Sequence, residues 1–513
     1  MKMASVLGCA GVVALAACGG GTQASAPPHL EIPVPPVHTS SQTGHGQREA
    51  PPASLASKPS PFPAVARAKL DDGLRIAVVQ ATALPIVQIR LLTFAGMGYG
   101  APGAAAFTAD MLKEGGTRTM TSAQVLSRIE ELGATLSVDT DFDSSVLQLG
   151  VTKDHLDEAL DLLAKVVSEP RFDGAELRKL KARRTDEARE AARGSGQWSA
   201  MRLMFRELYP EANPYSHYDV VPSEIAKITD RTLRDFHKRF YVPSNCELVV
   251  TGDVSESQVQ AAAQKSFGAW KGGAAPTVQF PAAIAPAKTR ILLASRPHSE
   301  QSDIFVATLA PPRSAPDYPA LRVANQVLGG GVAGRLFLDV REQRSLAYNT
   351  RSQMLELAHG DEPLFAYAGT ATKKTGLAIQ GLLENMQKIA QGPIEPSEVM
   401  TAGRYLSDIF AIRLESIGSI ADLVAVQDTF GLPDGYWDRY RTAVREVSMA
   451  DAQAAAKKLF GGAGRLIVVA GDPNVIGKPL SHFGEVVVVD PEKEFATVST
   501  IPADPNAPLD VTK

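Results

Sequence analysis

Residues 248–253 read Leu-Val-Val-Thr-Gly-Asp, and residues 467–472 repeat the pattern as Ile-Val-Val-Ala-Gly-Asp, about 220 positions later. A helical stretch at 158–163 has a counterpart at 377–383 with nearly the same separation. Segments that recur together at one spacing indicate a duplicated unit rather than unrelated domains. The sequence therefore predicts two homologous halves of about 220 residues each.

Each half mixes strands with long helices. Residues 73–80 and 86–94 carry the alternation of β-branched residues that is typical of strands. In 119–132 the apolar positions recur at helical spacing, and Thr121 or Ser122 is the expected N-cap. Strands and helices do not alternate strictly, which favours an α+β fold with largely antiparallel sheets.

Composition gives the domain boundaries and excludes several classes of protein. We expect an N-terminal domain over 65–272, a linker over 273–288, a C-terminal domain over 289–490 and a flexible tail over 491–513. The 52 basic and 56 acidic side chains give a net charge of -4, which argues against a nucleic-acid-binding protein. Three cysteines are too few for a disulfide scaffold, and Cys246 is expected to be a buried residue of a strand.

The N-terminus has the features of a targeting segment. Lys2 precedes a short apolar stretch that ends in small residues before Cys18, and three glycines follow. This arrangement resembles a bacterial lipobox and predicts a signal peptide over 1–17, a lipidated Cys18 and a proline-rich tether over 18–64. The alternative is an ordinary cleavage site with an incidental cysteine. A lipidated chain would face the periplasm, on the outer membrane in preference to the inner one.

A family resemblance rests on several separate motifs. Residues 329–337 read Gly-Gly-Gly-Val-Ala-Gly-Arg-Leu-Phe, and residues 341–348 read Arg-Glu-Gln-Arg-Ser-Leu-Ala-Tyr. The first half carries Pro-Gly at 102–103 and Gly-Thr at 116–117. Over about residues 65–480 the chain resembles the pitrilysin/insulinase metallopeptidases. The resemblance implies two homologous α+β domains in a subunit, and two subunits that close around a peptide.

The metal chemistry of that family is missing here. Its members hold zinc with His-x-x-Glu-His on a helix, where the glutamate activates the metal-bound water and a later glutamate is the third ligand. The resemblance places Ala106, Ala109 and Asp110 at the His, Glu and His positions, and Glu187 near the third ligand. Glu187 is also explained as a solvated helix carboxylate. We therefore expect no zinc in this chain.

The chemistry of the second half is retained. Arg341 and Tyr348 match, by resemblance, an Arg/Tyr pair that reaches the substrate beside the zinc. A guanidinium and a phenol can both donate to a peptide carbonyl and stabilise the negative charge that forms during attack by water. Without the resemblance, Arg341 would be a surface cation paired with Asp339 or Glu342, and Tyr348 a half-buried strand aromatic.

The predicted function is that of a catalytically inactive subunit, which supplies Arg341 and Tyr348 to the active site of a zinc-bearing paralogue. The expected partners are that paralogue, a peptide bound as an added strand, and a membrane through the lipid anchor. Two alternatives remain at this point: a peptide-binding or scaffold protein of the envelope without hydrolysis, and a zinc peptidase that is active alone.

Overall fold

The computed structural model describes residues 60–511 of the chain. The predicted signal peptide, Cys18 and most of the predicted tether lie outside these residues. Within them, no helix combines the length and the apolar composition that crossing a bilayer requires.

The first half is built on a six-stranded sheet in the order β1-β2-β6-β3-β5-β4. Its strands are β1 (Ala66–Lys69), β2 (Arg75–Gln80), β3 (Ile86–Thr93), β4 (Thr135–Thr140), β5 (Ser145–Thr152) and β6 (Cys246–Gly252). Its helices are α1 (Ala104–Glu114), α2 (Ser122–Glu131), α3 (Leu156–Ser168), α4 (Gly174–Gly194), α5 (Gly196–Leu208), α6 (Pro222–Lys227), α7 (Asp230–Phe240) and α8 (Glu256–Phe267). Short 3-10 turns lie at Lys153–His155, Pro214–Ser216 and Pro243–Asn245.

The second half is built on a seven-stranded sheet in the order β13-β12-β7-β11-β8-β10-β9. Its strands are β7 (Arg290–Ser295), β8 (Gln301–Ala310), β9 (Asn349–Met354), β10 (Glu362–Ala371), β11 (Leu466–Gly471), β12 (Val486–Asp490) and β13 (Ala496–Ile501). Its helices are α9 (Tyr318–Gly329), α10 (Thr375–Gln391), α11 (Pro396–Arg413), α12 (Ile417–Thr429), α13 (Tyr436–Glu446), α14 (Met449–Phe460) and α15 (Pro473–Ser481). A π-helical segment covers Phe337–Gln343, and 3-10 turns lie at Thr372–Lys374 and Pro491–Lys493.

The two sheets confirm the predicted α+β duplication. Five neighbouring strands of the first sheet, β2-β6-β3-β5-β4, match β7-β11-β8-β10-β9 of the second in order. Directions also match, because β2/β6 and β7/β11 are parallel pairs and the other pairs are antiparallel. The repeated segments that predicted the duplication lie in β6 and β11. Every residue of these two central strands is buried.

Two local features agree with the predictions made from the sequence. The predicted helix over 119–132 is α2, and Thr121 is its N-cap in a capping box with Gln124. Cys246 begins β6 and is a free, fully buried thiol. Its burial in a strand is as predicted. Burial also raises the pKa of Cys246 to about 12, so the thiol stays protonated at neutral pH.

The halves are joined because each sheet is covered on one face by a helix of the other half. Helix α5 packs its apolar residues, among them Leu203 and Phe205, against Phe305 and Val468 of the second sheet. Helix α12 packs Ile420 and neighbouring residues against the first sheet. Each sheet packs its other face on helices of its own half. This exchange buries apolar surface that neither half could cover alone.

The tail prediction is wrong for residues 491–511. Strand β13 pairs antiparallel with β12 and extends the second sheet, so its backbone groups are hydrogen-bonded. Ala507 is buried, and the carbonyl of Leu509 approaches Gly376 so closely that a Cβ at Gly376 would lie 2.4 Å from it. The C-terminal segment is therefore part of the second half.

The predicted tether also extends too far along the sequence, because its last residues pack on the second half. The Phe62 N–H donates to the Asp438 carboxylate at 3.0 Å, and Arg441 donates to the hydroxyl and the carbonyl oxygen of Ser60. Phe62 also packs against apolar residues of both halves. Residues 60–64 therefore lie against α13 instead of belonging to a free spacer.

A buried carboxyl group lies where the two halves meet. Asp143, in the turn between β4 and β5, accepts hydrogen bonds from the Tyr215 hydroxyl and from the Ala358 N–H of the second half, the latter at 2.9 Å. Burial and the nearby Asp141 carboxylate raise the pKa of Asp143 to about 7.

This raised pKa predicts a loss of stability as the pH rises. Between the ordinary pKa of an aspartate and about 7, the folded state keeps a proton that the unfolded state has lost, so the free energy of unfolding falls with pH. Asp143→Asn removes this term. We expect the free energy of unfolding of the variant, relative to the wild type, to rise by about 2 kcal/mol from pH 5 to pH 8. Urea unfolding at several pH values measures it.

Asp186→Asn is the matched control, because the Asp186 side chain is 78% exposed. It should follow the wild-type pH trend. A constant difference between Asp143→Asn and wild type across this range would contradict the assignment.

Candidate functional site

Helix α1 carries the positions where the resemblance expects zinc ligands. Gly103 precedes it with a φ of 79°, a conformation that favours glycine, and the alanine-rich sequence then forms a helix readily. Ala106 and Asp110 are partly exposed, and Ala109 is fully buried. The helix packs against β4 and β5. Strand β4 is the last strand of the first sheet, so one of its two edges is not paired with another strand of that sheet. The helix that carries the expected ligand positions therefore packs against an edge strand.

Asp110 forms an ion pair with an arginine of α4. Two nitrogens of Arg184 on α4, Nη2 and Nε, donate to Oδ2 of Asp110 at 2.6 and 3.1 Å. The neighbouring Arg183 donates to Glu114 at 2.9 Å. Two ion pairs therefore connect α1 with α4, and Asp110 is neutralised by a side chain of the same chain.

The residues present do not fit a zinc ion. Alanine has no donor atom, and a zinc site requires three or four protein ligands. Among residues 60–511, no group of three or more His, Cys, Asp or Glu side chains could hold a metal ion. The resemblance implies zinc in relatives, and this donor set does not support it here. That the chain works without zinc remains a prediction.

The surroundings of Glu187 fit a solvated helix carboxylate better than a third zinc ligand. Its side chain is half exposed and lies 3.3 Å from Arg184 and 3.7 Å from Arg183. It is thus a helix carboxylate in a network of arginines and carboxylates, and the network leaves no cluster of ligands around it.

Arg341 lies in the π-helical segment, where its side chain is 44% exposed. Its guanidinium stands 4.5 Å from the centre of the Phe337 ring. The Glu342 carboxylate is 3.6 Å away, whereas Asp339 is bound by Arg344 and Asn385. Arg341 is therefore accessible to a ligand.

Tyr348 directly precedes β9 and is 51% exposed. Its N–H donates to the carbonyl of Gly369 at 3.1 Å, and its hydroxyl donates to Oε1 of Gln301 at 2.9 Å. Burial and the charge of Asp303 raise the pKa of Tyr348. The phenol therefore stays protonated at neutral pH and can act as a donor.

The glycine run before this segment allows close packing. A Cβ on Gly329 would lie 2.6 Å from the backbone nitrogen of Ser352 in β9, and one on Gly330 would lie 2.0 Å from the Gln326 side chain. Glycine lets the end of α9 approach β9 closely.

The predicted residues therefore lie on two different halves. Ala106, Ala109, Asp110 and Glu187 lie on α1 and α4 of the first half, and Arg341 and Tyr348 lie on the second half. Sequence reasoning missed the pairing of Arg184 with Asp110. The available signal was an acid in a ligand position together with arginines near the expected third ligand.

Comparison with known proteins gives the family. The model described as Insulinase (Peptidase family M16) matches residues 99–204, and the model described as Peptidase M16 inactive domain matches residues 227–404. The chain belongs to the M16 peptidase family. The first match ends within α5, and the second begins at the last residue of α6. Together the two matches cover more than half of the chain.

Relatives within the M16 family are distant but extensive. An uncharacterized zinc protease of Mycobacterium leprae is 27% identical over 370 residues, covering 69% of this chain and 80% of that protein. The alpha subunit of the mitochondrial-processing peptidase of Pongo abelii is 22% identical, covering 77% of this chain and 79% of that protein.

A solved structure from Pseudomonas fluorescens, described as a peptidase M16 inactive domain, has a TM-score of 0.73 and 27% identity. It covers 80% of this chain and 98% of its own. A protease structure from Helicobacter pylori also has a TM-score of 0.73, with 20% identity, covering 80% of this chain and all of its own. The fold implied by the resemblance, two homologous α+β domains of the pitrilysin/insulinase type, is thus confirmed.

The ion pair between Asp110 and Arg184 should contribute measurable coupling. Their side chains are 16% and 36% exposed, so the pair is only partly screened by water. We expect a double-mutant cycle of Asp110→Asn and Arg184→Met, measured by urea unfolding, to give a coupling energy of about 1 kcal/mol that falls in high salt.

The pair formed by Arg118 and Glu169 serves as the comparison, because its side chains are 75% and 36% exposed. Its cycle should give a smaller coupling energy. Equal coupling in both pairs would mean that Arg184 has no special role beside α1.

Proposed function

We propose that this chain is the non-catalytic subunit of a heterodimeric M16 zinc peptidase. In this proposal it supplies Arg341 and Tyr348 to the active site of a zinc-bearing paralogue. The observation that carries the proposal is the asymmetry of the chain. Arg184 neutralises Asp110 on the first half, while Arg341 and Tyr348 remain exposed on the second.

The relatives support an assembly of this kind. Several carry names that describe zinc proteases, and one is named as the alpha subunit of a processing peptidase. A chain that shares their fold, and whose residues 60–511 contain no donor set for zinc, would contribute to hydrolysis only together with a subunit that holds the metal.

The two retained side chains suit the stabilisation of a reacting carbonyl. Zinc held by the partner would supply the Lewis acid and the activated water of peptide hydrolysis. Arg341 is a permanent cation with several donors, and the Tyr348 hydroxyl is a neutral donor. Both would bind the peptide carbonyl oxygen and stabilise the charge that develops on it.

The peptide itself would bind as an added strand. Strand β4 is an edge of the first sheet, it packs beside α1, and its exposed side chains are polar or small: Thr135, Ser137 and Asp139. A free edge offers main-chain donors and acceptors, which give affinity with little dependence on sequence.

Cellular location is a further part of the proposal. A lipidated Cys18 would anchor the chain in the membrane, facing the periplasm and on the outer membrane in preference to the inner one. These residues lie outside the described part of the chain, and mass spectrometry of the native N-terminus tests the modification.

Reconstitution tests the proposed function. The purified chain is mixed with an M16 paralogue that carries His-x-x-Glu-His, taken from the same genome, and cleavage of a quenched fluorescent peptide is followed. We expect a large gain in rate over the paralogue alone. Arg341→Ala and Tyr348→Phe should each lower kcat by about 10²-fold, the usual effect of removing one donor to an oxyanion.

Arg404→Ala and Tyr405→Phe are matched controls, because both residues are exposed on α11, outside the 337–349 segment. Both control variants should keep the full rate. A mixture that hydrolyses no faster than the paralogue alone would contradict the proposal, and it would favour a binding or scaffold protein without hydrolysis.

A further inference from the structure

Tyr348 lies close to a glycine of the neighbouring strand. A Cβ built on Gly369 of β10 would stand 3.0 Å from both Cζ and the hydroxyl oxygen of Tyr348, and 2.9 Å from the hydroxyl of Tyr367. The contact with Tyr367 is shorter than Cβ atoms in proteins show, and the two contacts with Tyr348 are tighter than most, so a side chain at this position requires the phenols to shift. Since Gly369 does not have a positive φ, close approach and not backbone conformation requires glycine here.

A second contact fixes the direction of the phenol. Gln301, the first residue of β8, accepts the Tyr348 hydroxyl at 2.9 Å. The backbone N–H of Tyr348 also donates to the Gly369 carbonyl, which places the start of β9 beside β10. The exposed side chain is thereby held at its base, along its ring and at its hydroxyl.

Tyr367, the other phenol beside Gly369, is held by several contacts. The buried Tyr367 hydroxyl donates to Asp303 at 2.7 Å and accepts from Gln197 at 3.0 Å. Arg351 covers the Tyr367 ring at 4.0 Å and donates to Oε1 of Gln197 at 3.2 Å. Gln197 belongs to α5 of the first half, so the contacts of Tyr367 include a residue from each half.

We propose that Gly369 and Gln301 are positioning residues for Tyr348, which hold its ring and hydroxyl oxygen at a place from which the O–H can turn from Oε1 of Gln301 to a peptide carbonyl. This inference rests on the proposed function for the use of that hydroxyl, and on the structure alone for its placement. A donor must stand within a few tenths of an ångström of the developing oxyanion to be effective. An exposed tyrosine without these contacts would sample several rotamers.

The test uses two variants and a readout that is independent of hydrolysis. The full chain is labelled with [¹³Cζ]tyrosine, and the Tyr348 signal is assigned by its loss in Tyr348→Phe. We expect Gly369→Ala and Gln301→Leu each to shift this signal and to change its pH titration. Gln301→Glu keeps an acceptor oxygen and should retain the Tyr348 shift more closely than Gln301→Leu does. In the reconstituted mixture, the two disruptive variants should lower kcat about tenfold with KM nearly unchanged.

Matched controls separate positioning from general disturbance. A Cβ on Gly273 meets nothing within 4 Å, and Gln387 is exposed on α10. Gly273→Ala and Gln387→Leu should leave the Tyr348 signal and kcat unchanged. If Gly369→Ala does not fold, Gln301→Leu carries the test alone.

The outcomes distinguish the two proposals. An unchanged Tyr348 signal in the variants would overturn the positioning role, whatever the activity. A shifted signal in a mixture that never gains peptidase activity would keep the positioning role and refute the proposed function. A shifted signal with a wild-type kcat would overturn the link between placement and rate.

Discussion

The carboxylate of Asp110 and the guanidinium of Arg184 lie 2.6 Å apart, on the helices where metal ligands of the M16 family are expected. This pair satisfies the Asp110 carboxylate with a cation of the same chain. Ala106 and Ala109 on the same helix offer no donor atom to a metal ion. The first half therefore has the fold of the M16 family, while an arginine of the same chain balances the charge of Asp110.

The exchange of helices makes the two halves one body. Because α5 covers the second sheet and α12 covers the first, neither half can move far without exposing an apolar face. The turn from α4 into α5 also brings Gln197 of the first half to the Tyr367 hydroxyl of the second, at 3.0 Å. The accessible side chains of Arg341 and Tyr348 thus lie on a packed half of the molecule, as their proposed role on the substrate of another subunit would require.

Sequence patterns predicted the parts of this structure that depend on local residues or on repetition. The segments at 248–253 and 467–472 are central strands because their apolar runs are buried on both faces. The prolines near the C-terminus suggested a free tail, yet β13 pairs with β12, since an edge strand depends on a partner from elsewhere in the chain. Sequence patterns could not predict contacts between residues far apart in the chain. The pairing of Arg184 with Asp110 and the support of Tyr348 by Gly369 depend on how helices and strands cross.

Zinc binding by the isolated chain tests the central claim most directly. The purified chain, first incubated with zinc and then passed through gel filtration, is measured for metal by inductively coupled plasma mass spectrometry and for cleavage of a fluorescent peptide. Our account predicts no stoichiometric zinc and no cleavage. One zinc ion per chain, held by the first half and accompanied by hydrolysis, would contradict it.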